Sequence, residues 1–292
     1  MISNDTSEMV YADNAATTCL SERAYESMLP FFQDNFGNPS QPYAFSRIAR
    51  RAIRAAREIV AQHINAEPEE VFFTSGGTES DNWAIKGFSL RDATKKVLVT
   101  SQIEHHAVLN SVESMGTIGH HIHLLPVDSD GVIDLAATKK IDFGDSGLMS
   151  LMFANNEIGT MQPIKQACDC AHEHGAFFHT DAVQAVGHVP INVKDLGVDM
   201  LSASAHKFNG PRGIGFLYVK KGTPLSAYAS GGAQEMGFRA GTENTAAIVG
   251  LAAALEGNCS QMGVAATKLC ELEKALVSHF TTKQLDFRRN GV

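Results

Sequence analysis

The sequence predicts an α/β fold of three layers, in which a mostly parallel sheet lies between two layers of helices. Short apolar segments alternate along the chain with longer amphipathic ones, which is the pattern of strands followed by helices. The apolar segments are hydrophobic throughout rather than at every second residue, as strands buried on both faces require. With 292 residues, the chain is long enough to bury a sizeable core.

The first predicted elements are a helix over about 45–63 and a strand over 70–74. In the helix, Ile48, Ala52, Ala55 and Ile59 recur near helical spacing. A glycine-rich turn over 75–77 ends the strand and starts a helix over about 78–89. The unit then repeats loosely, with strands at 97–100, 121–126, 148–153, 176–181, 200–204 and 215–219. The remaining predicted helices are about 105–115, 163–174, 245–256 and 261–280.

Composition excludes several classes of partner. The formal net charge is -8, from 24 basic and 32 acidic residues, and no basic block stands out, so nucleic acid and anionic membranes are poor partners. No apolar run is long enough to span a bilayer, and the polar N-terminus does not resemble a signal peptide. Five scattered cysteines favour a reducing compartment over a disulfide framework. We therefore expect a cytoplasmic protein.

Lys207 is the most informative single residue. It lies between an apolar strand segment and a turn rich in glycine and proline, which is not the setting of an ordinary solvated lysine. A lysine held in such a place loses its proton readily, and a neutral amine is what a Schiff base with an aldehyde requires. Asp181 ends an apolar segment 26 residues upstream. A lysine that bonds to the aldehyde and an acid that holds a pyridinium nitrogen are the two groups that pyridoxal phosphate chemistry needs.

Other polar residues follow the same predicted strands. The glycine-rich turn with Gly77 and Thr78 suits a phosphate, because glycines allow close approach and a helix N-terminus offers free N–H groups. Taken alone, that turn also fits a plain strand-to-helix connection with a capping residue. Candidate contacts to the phosphate are Ser204 and His206, and His105 is a candidate stacking partner and proton carrier.

Asn156 and Gln184 are both candidates for contact with the phenolic oxygen of the cofactor. Like the other candidates, they lie at or just beyond the end of a predicted strand. Ligands of parallel α/β sheets collect at the carboxyl ends of the strands, so we expect all these side chains to meet at one edge of the sheet.

One segment imitates a metal site. Residues 168–174 hold two cysteines and two histidines. On a helix, residues two apart point about 200° apart, so Cys168 and His172 share a different face from Cys170 and His174. One tetrahedral site cannot collect all four. We predict no metal.

Eight segments together form a more specific pattern. They are DNAATT (13–18), GNPS (37–40), FTSGGTES (73–80), EHH (104–106), NNEIG (155–159), HTDAVQ (179–184), SAHK (204–207) and RAGTEN (239–244). In this order and spacing they resemble the cysteine desulfurases, within the class V aminotransferase group of fold-type I enzymes that use pyridoxal 5'-phosphate (PLP). The likeness runs from about residue 11 to about residue 256.

The resemblance implies a role for each candidate. Lys207 would bond to PLP and later move the α-proton of the substrate, Asp181 would pair with the ring nitrogen, and His105 would stack on the ring. Gln184 and Asn156 would contact the phenolic oxygen. The phosphate would be bound by Gly77, Thr78, Ser204 and His206. Thr242 would reach the phosphate of a neighbouring subunit, which implies a homodimer.

The implied reaction removes sulfur from L-cysteine, leaves L-alanine, and passes the sulfur to iron–sulfur cluster assembly or thio-cofactor synthesis. The implied partner is a sulfur-acceptor protein. The implied organisation is an N-terminal arm at the rim of the active site (1–20), a PLP-binding large domain (21–256) and the start of an incomplete small domain (257–292). We expect the family's nucleophilic loop cysteine and its carboxylate-binding arginine to have no matching position here. Cys19 is then a candidate nucleophile.

Two alternatives stay open. One keeps the PLP apparatus and changes the substrate, as in a selenocysteine lyase or another class V aminotransferase or lyase. The other is a catalytically inactive fragment that binds PLP but lacks the loop with the nucleophilic cysteine. Release of alanine from cysteine would distinguish the desulfurase from both.

Overall fold

The computed structural model describes residues 10–91, 94, 96–144 and 147–291. Within these ranges the chain forms one sheet of seven strands. The strands are β1 (Val71–Thr74), β2 (Val97–Ser101), β3 (His121–Leu125), β4 (Leu148–Met152), β5 (Phe177–Asp181), β6 (Met200–Ser204) and β7 (Gly215–Val219). Every strand predicted from the sequence is present, with ends that differ by a residue or two.

The strands lie in the order β1-β7-β6-β5-β4-β2-β3. Strand β7 pairs antiparallel with both of its neighbours, and the other pairs are parallel. The prediction of a mostly parallel sheet is thus confirmed. The antiparallel strand follows from the short connection between β6 and β7, since a parallel pair needs a crossover of a dozen or more residues.

The same ranges hold nine α-helices. They are α1 (Glu22–Met28), α2 (Pro30–Gln33), α3 (Arg47–Ile64), α4 (Gly77–Asn82), α5 (His106–Gly116), α6 (Leu135–Thr138), α7 (Ile164–Glu173), α8 (Val193–Leu196) and α9 (Thr245–Thr282). Helix α4 continues without a break into a π-helical turn at Trp83–Gly87. Four short helices, α1, α2, α6 and α8, have too few residues to show a helical period, and the sequence pattern did not predict them.

Two hydrophobic cores, one on each face of the sheet, account for the fully apolar strands. Phe73, Met149 and Phe216 pack with α3, α7 and α9, whereas Phe72 and Leu217 pack with α5 and the π-helical turn. Alternate residues of each strand point to opposite faces, so a strand covered on both sides must be apolar at every position. The predicted three-layer arrangement is therefore present.

The chain's last long element corrects one prediction. The sequence indicated two helices separated near residue 257, but α9 runs from residue 245 to residue 282 without interruption. Gly257 lowers helix propensity by only about 1 kcal/mol, and the burial of Leu251 and Leu255 exceeds that cost. In the part of the chain that the structure describes, no helix is long and apolar enough to cross a membrane.

At Gly215 the backbone of β7 passes close to the backbones of Ala203 and Gly76. A Cβ atom at this position would lie 2.4 Å from the Ala203 carbonyl oxygen and 2.8 Å from the Cα atom of Gly76. Because both obstacles are backbone atoms, they cannot move aside as a side chain can. We expect Gly215→Ala to lower the free energy of unfolding by about 3 kcal/mol, the upper end of the cost of overpacking.

Chemical denaturation of the two proteins measures this loss. Gly263→Ala is the matched control, because a Cβ atom there meets no atom within 4 Å. That control should stabilise the protein slightly, since alanine is the better helix former by about 1 kcal/mol. Equal stability of Gly215→Ala and the unsubstituted protein would contradict the backbone contact.

Candidate active site

One cavity of about 680 Å³ opens at the carboxyl ends of the central strands. Nine of the ten residues predicted for the site line it: Gly77, Thr78, His105, Asn156, Asp181, Gln184, Ser204, His206 and Lys207. The tenth, Thr242, is exposed and does not line this cavity. The convergence follows from the parallel strands, which bring residues distant in sequence to one edge of the sheet.

Lys207 ends a short 3₁₀ turn that follows β6, and its side chain is partly buried. Its Nζ atom donates to the carbonyl oxygen atoms of Ala15, at 2.5 Å, and Ala16, at 2.9 Å. Burial lowers the pKa of Lys207, and the nearby carboxylates of Asp181 and Asp13 offset part of that effect. The amine is therefore easier to deprotonate than a solvated lysine, as a Schiff-base lysine requires.

The N-terminal segment from residue 13 to residue 21 lies along the turn that carries Lys207. The backbone N–H and the hydroxyl of Thr18 both donate to the carbonyl oxygen of His206, at 2.9 Å each. The backbone N–H of Asn209 donates to the same hydroxyl at 2.8 Å. Asn209 has a φ of +61°, a left-handed conformation that asparagine tolerates better than most residues. These contacts hold the turn at the cavity's edge.

Asp181 is the last residue of β5 and only 5% exposed. Its Oδ1 atom accepts a hydrogen bond from the backbone N–H of Val183 at 2.9 Å. Burial raises the pKa of Asp181, and that hydrogen bond and the electrostatic interactions with His105 and Lys207 offset part of the effect. Gln184 lies three residues further on and donates to the Ala15 carbonyl oxygen at 2.9 Å.

At the N-terminus of α4, the cavity is lined by a glycine turn and by the side chains of Ser204 and His206. Gly76 and Gly77 lead into the N-terminus of α4, where backbone N–H groups are free. A Cβ atom on Gly76 would lie 3.5 Å from Ser204 Oγ, so the turn passes close to that hydroxyl. Opposite, His206 Nδ1 lies 3.1 Å from Thr17 Oγ1. Free N–H groups with neighbouring hydroxyl and imidazole donors are a typical anion site.

His105 and Asn156 complete the predicted set. His105 caps α5, where its Nδ1 atom accepts a hydrogen bond from the backbone N–H of Ala107 at 3.1 Å. In the neutral ring, Nε2 must therefore carry the proton. Asn156 donates to Glu157 Oε1 at 2.7 Å and also lines the cavity.

An ion pair joins the loop that carries Thr242 to the first turn of α4. Arg239 donates through Nε to Glu79 Oε1 at 2.8 Å and through Nη2 to Oε2 at 3.2 Å. Burial raises the pKa of Glu79, but the hydrogen bonds from Arg239 and Ser75 outweigh it and hold that pKa below its usual value. The loop is thereby placed beside the site, although Thr242 does not line the cavity.

The sequence analysis missed two buried acids. Asp81 lines the cavity from α4 and is 1% exposed, and Glu104, which precedes His105, is 6% exposed. One Glu104 oxygen accepts from the Ser101 hydroxyl at 2.6 Å and from the Met152 backbone N–H at 3.0 Å. A signal for Glu104 existed in its position, three residues after the buried strand β2 ends. Asp81, in a polar helical segment, gave none.

Glu104 provides a test by pH. Burial raises the pKa of Glu104 from 4.5 to about 8. Between these values the folded protein keeps a proton that the unfolded chain releases, so stability falls as the pH rises. Glu104→Gln removes this titration. As the pH rises through this window, the unsubstituted protein should lose stability that Glu104→Gln keeps. We expect the difference between their free energies of unfolding to change by on the order of a few kcal/mol, because one pKa unit corresponds to about 1.4 kcal/mol.

Thermal or urea unfolding at several pH values gives the two curves. Glu113→Gln, on the exposed face of α5, is the matched control and should follow the unsubstituted protein. Parallel curves for Glu104→Gln and the unsubstituted protein would show that Glu104 is ionised in the fold.

The cysteines lie apart from the cavity. None of them is among the described residues that line it. Cys19 is exposed and lies two residues after Thr17, the last residue of the N-terminal segment that lines the cavity. In the segment that imitates a metal site, His172 pairs with Asp199 at 2.8 Å, and His174 bonds to the carbonyl oxygen of Cys170. Within the described ranges, the three potential ligand side chains that do meet are Asp81, His105 and Asp181, inside the cavity.

Comparison with known proteins agrees with this geometry. The family model for class-V aminotransferases matches residues 10–290. Cysteine desulfurase IscS of Clostridium botulinum is 46% identical over 285 residues, which cover 97% of this chain and 72% of that protein. Cysteine desulfurase IscS of Dictyoglomus turgidum is 47% identical over 283 residues, with the same shares covered.

Solved structures agree as well. A NifS-like protein superposes with a TM-score of 0.91 at 38% identity, covering 94% of this chain and 76% of that one. The structure of SspA in complex with cysteine has a TM-score of 0.83 at 41% identity, covering 85% and 72%. The chain belongs to the class-V aminotransferase family and, within it, to the cysteine desulfurases. The resemblance noted in the sequence is thereby confirmed.

Proposed function

We propose that this chain is a PLP-dependent cysteine desulfurase that converts L-cysteine to L-alanine and transfers the sulfur to a thiol acceptor. The observation that carries the proposal is that Lys207 and Asp181 line the same cavity, one partly buried amine and one buried acid. The named relatives are cysteine desulfurases, and one solved neighbour holds cysteine. PLP supplies an electron sink that makes bonds to the substrate's α-carbon labile.

The residues present fit this cofactor. The N–H groups at the start of α4, with Thr78, Ser204 and His206, would hold the phosphate. Asp181 would face the ring nitrogen, and a buried carboxylate stabilises a positive charge there. His105 would lie against the ring, and Asn156 and Gln184 would contact the phenolic oxygen.

Lys207 has two tasks in this proposal. It would be the residue that holds the cofactor covalently, and its lowered pKa favours the neutral amine that this role needs. With substrate bound, the Lys207 amine would accept the α-proton as a general base. The carbonyl oxygen atoms of Ala15 and Ala16 would then hold its protonated form.

Finer parts of the proposal concern partners. We propose a homodimer in which Thr242 contacts the phosphate of the neighbouring subunit, which agrees with its exposure and its position outside its own cavity. A sulfur-acceptor protein would carry the product to iron–sulfur cluster or thio-cofactor synthesis in the cytoplasm. Because no cysteine is among the described lining residues, the acceptor thiol enters from elsewhere.

The test uses the purified chain with added PLP. Its absorbance spectrum is recorded, L-cysteine and dithiothreitol are added, and alanine and sulfide are measured. A protein-bound cofactor spectrum with equal amounts of alanine and sulfide is expected, and L-serine serves as the control substrate. Cofactor binding without alanine would favour the inactive binding protein, and transfer of the amino group to a keto acid would favour an aminotransferase. Faster release of alanine from L-selenocysteine would favour a selenocysteine lyase.

A further inference from the structure

A second buried carboxyl group faces Asp181 across the floor of the cavity. Asp81 is 1% exposed, and its Oδ1 atom has no hydrogen-bond partner among the described residues. Ligand atoms of Asp81, Asp181 and His105 all lie within 4.8 Å of one another. A buried acid with one unpartnered oxygen, so close to the group that would face the ring nitrogen, requires an explanation.

The two acids have different surroundings. Asp181 accepts the Val183 backbone N–H, opens on the cavity and faces Lys207. The groups that face Asp81 from neighbouring elements are the Ser202 hydroxyl of β6, His179 of β5 at 3.7 Å, Glu104 after β2, Asp181 and His105. His105 lies within 4.8 Å of both acids, so it does not favour a charge on Asp81 over one on Asp181.

His179 does not supply a positive charge. Its ring is fully buried, with Nδ1 2.8 Å from the Ser150 hydroxyl and Nε2 2.9 Å from the Ser202 hydroxyl. Burial lowers its pKa to about 3, so the ring is neutral. Glu104, with a pKa raised by burial to about 8, is neutral near pH 7 as well. His179 and Glu104 therefore give Asp81 no positive charge to pair with, and the nearby Asp181 competes with it for a proton.

Two carboxylates at this separation in a buried site repel each other strongly, so the pair keeps one proton near neutral pH. The backbone N–H and the lysine stabilise the anion on Asp181 rather than on Asp81. Burial and the neighbouring Asp181 charge both raise the pKa of Asp81 well above its usual value.

We propose that Asp81 is a positioning residue: a carboxylic acid kept neutral, which carries the proton of the Asp81–Asp181 pair and leaves Asp181 as the charged member of that pair. A neutral Asp81 can donate its proton toward Asp181 and orient that carboxylate. The protonation state concerns the chain alone, whereas the consequence for the ring nitrogen rests on the proposed function.

Infrared spectroscopy of the cofactor-free protein tests the protonation state. Aspartate labelled with ¹³C in the carboxyl group shifts the C=O stretch of any protonated aspartic acid, which separates it from Glu104. We expect one buried, label-sensitive band near neutral pH, absent in Asp81→Asn and retained in Asp181→Asn. The proposal is overturned if the unsubstituted protein lacks the band, or if the band disappears in Asp181→Asn and remains in Asp81→Asn. If Asp81→Asn does not fold, the labelled unsubstituted protein and Asp181→Asn still decide.

A binding experiment tests the positioning role. We expect Asp81→Leu to weaken PLP affinity about tenfold, equivalent to about 1.4 kcal/mol, because it removes the hydrogen-bonding group. Asp81→Asn replaces a neutral group by a neutral group of the same size and should restore most of that loss. Asp81→Asn binding as poorly as Asp181→Asn would show that Asp81 works as an anion and would end the proposal. Failure of the unsubstituted chain to bind PLP would instead contradict the proposed function, while the infrared result would stand.

Discussion

Replacing Lys207 with alanine is expected to lower the turnover of L-cysteine by about four orders of magnitude, the upper end of what a positioned general base contributes. Lys207 is the single lysine among the described residues that line the cavity. In the proposed function, its loss removes both the amine that would hold the cofactor and the base that would move the α-proton. Alanine release measured with saturating PLP gives the rate, and borohydride reduction followed by mass spectrometry gives the attachment site.

The design of this experiment separates chemistry from folding. Lys165, on α7, forms an exposed ion pair with Asp169 one helical turn away, so Lys165→Ala should retain full turnover. Lys207→Ala loses the donor to the carbonyl oxygen atoms of Ala15 and Ala16, and its melting temperature shows whether the N-terminal segment stays in place. Turnover above about one hundredth of the unsubstituted rate, or borohydride labelling of another lysine, would remove Lys207 from its proposed role.

The location of the site could be predicted because the fold is regular. Strands that are apolar throughout indicate a parallel sheet, and the ends of such strands meet at one edge. From this rule alone, residues as distant in sequence as Gly77 and Lys207 were expected to be neighbours, and they line one cavity. The motif resemblance added roles to residues that the fold had already brought together.

Contacts made by backbone atoms could not be predicted. The side chains of Ala15 and Ala16 carry no information about the two carbonyl oxygen atoms that accept from Lys207. The path of the N-terminal segment depends on Thr18 and Asn209, which are 191 residues apart. Such pairings are set by tertiary packing rather than by local pattern.

The buried acids were missed for a related reason. Asp81 lies between Ser80 and Asn82, and three polar residues in a row on a helix indicate an exposed face. The segment is instead pressed against the sheet, with Ser80 donating to the Phe216 carbonyl oxygen at 3.1 Å. Only the packing of α4 on β6 and β7 shows that Asp81 belongs to the cavity.

Asp181→Asn should lower kcat/KM for L-cysteine by about 10²–10³-fold, the typical loss when one preorganised electrostatic contact is removed. Asparagine has the same shape, and its oxygen can still accept from the Val183 backbone N–H, so the fold should be retained. The neutral amide cannot stabilise a positive charge at the ring nitrogen, which is the whole expected difference. Melting temperatures of the two proteins should therefore agree while their rates do not.

Two further variants make the interpretation specific to charge and position. Asp181→Glu keeps the carboxylate but moves it by one methylene group, so its rate should lie between those of Asp181→Asn and the unsubstituted protein. Asp169→Asn removes an exposed carboxylate on α7, and its rate should be unchanged. If Asp181→Asn kept a rate within about threefold of the unsubstituted protein, less than 1 kcal/mol of transition-state stabilisation would be assigned to this carboxylate. The ring nitrogen would then have to be held by another group, and Asp81, as the next acid in the cavity, would be the residue to examine.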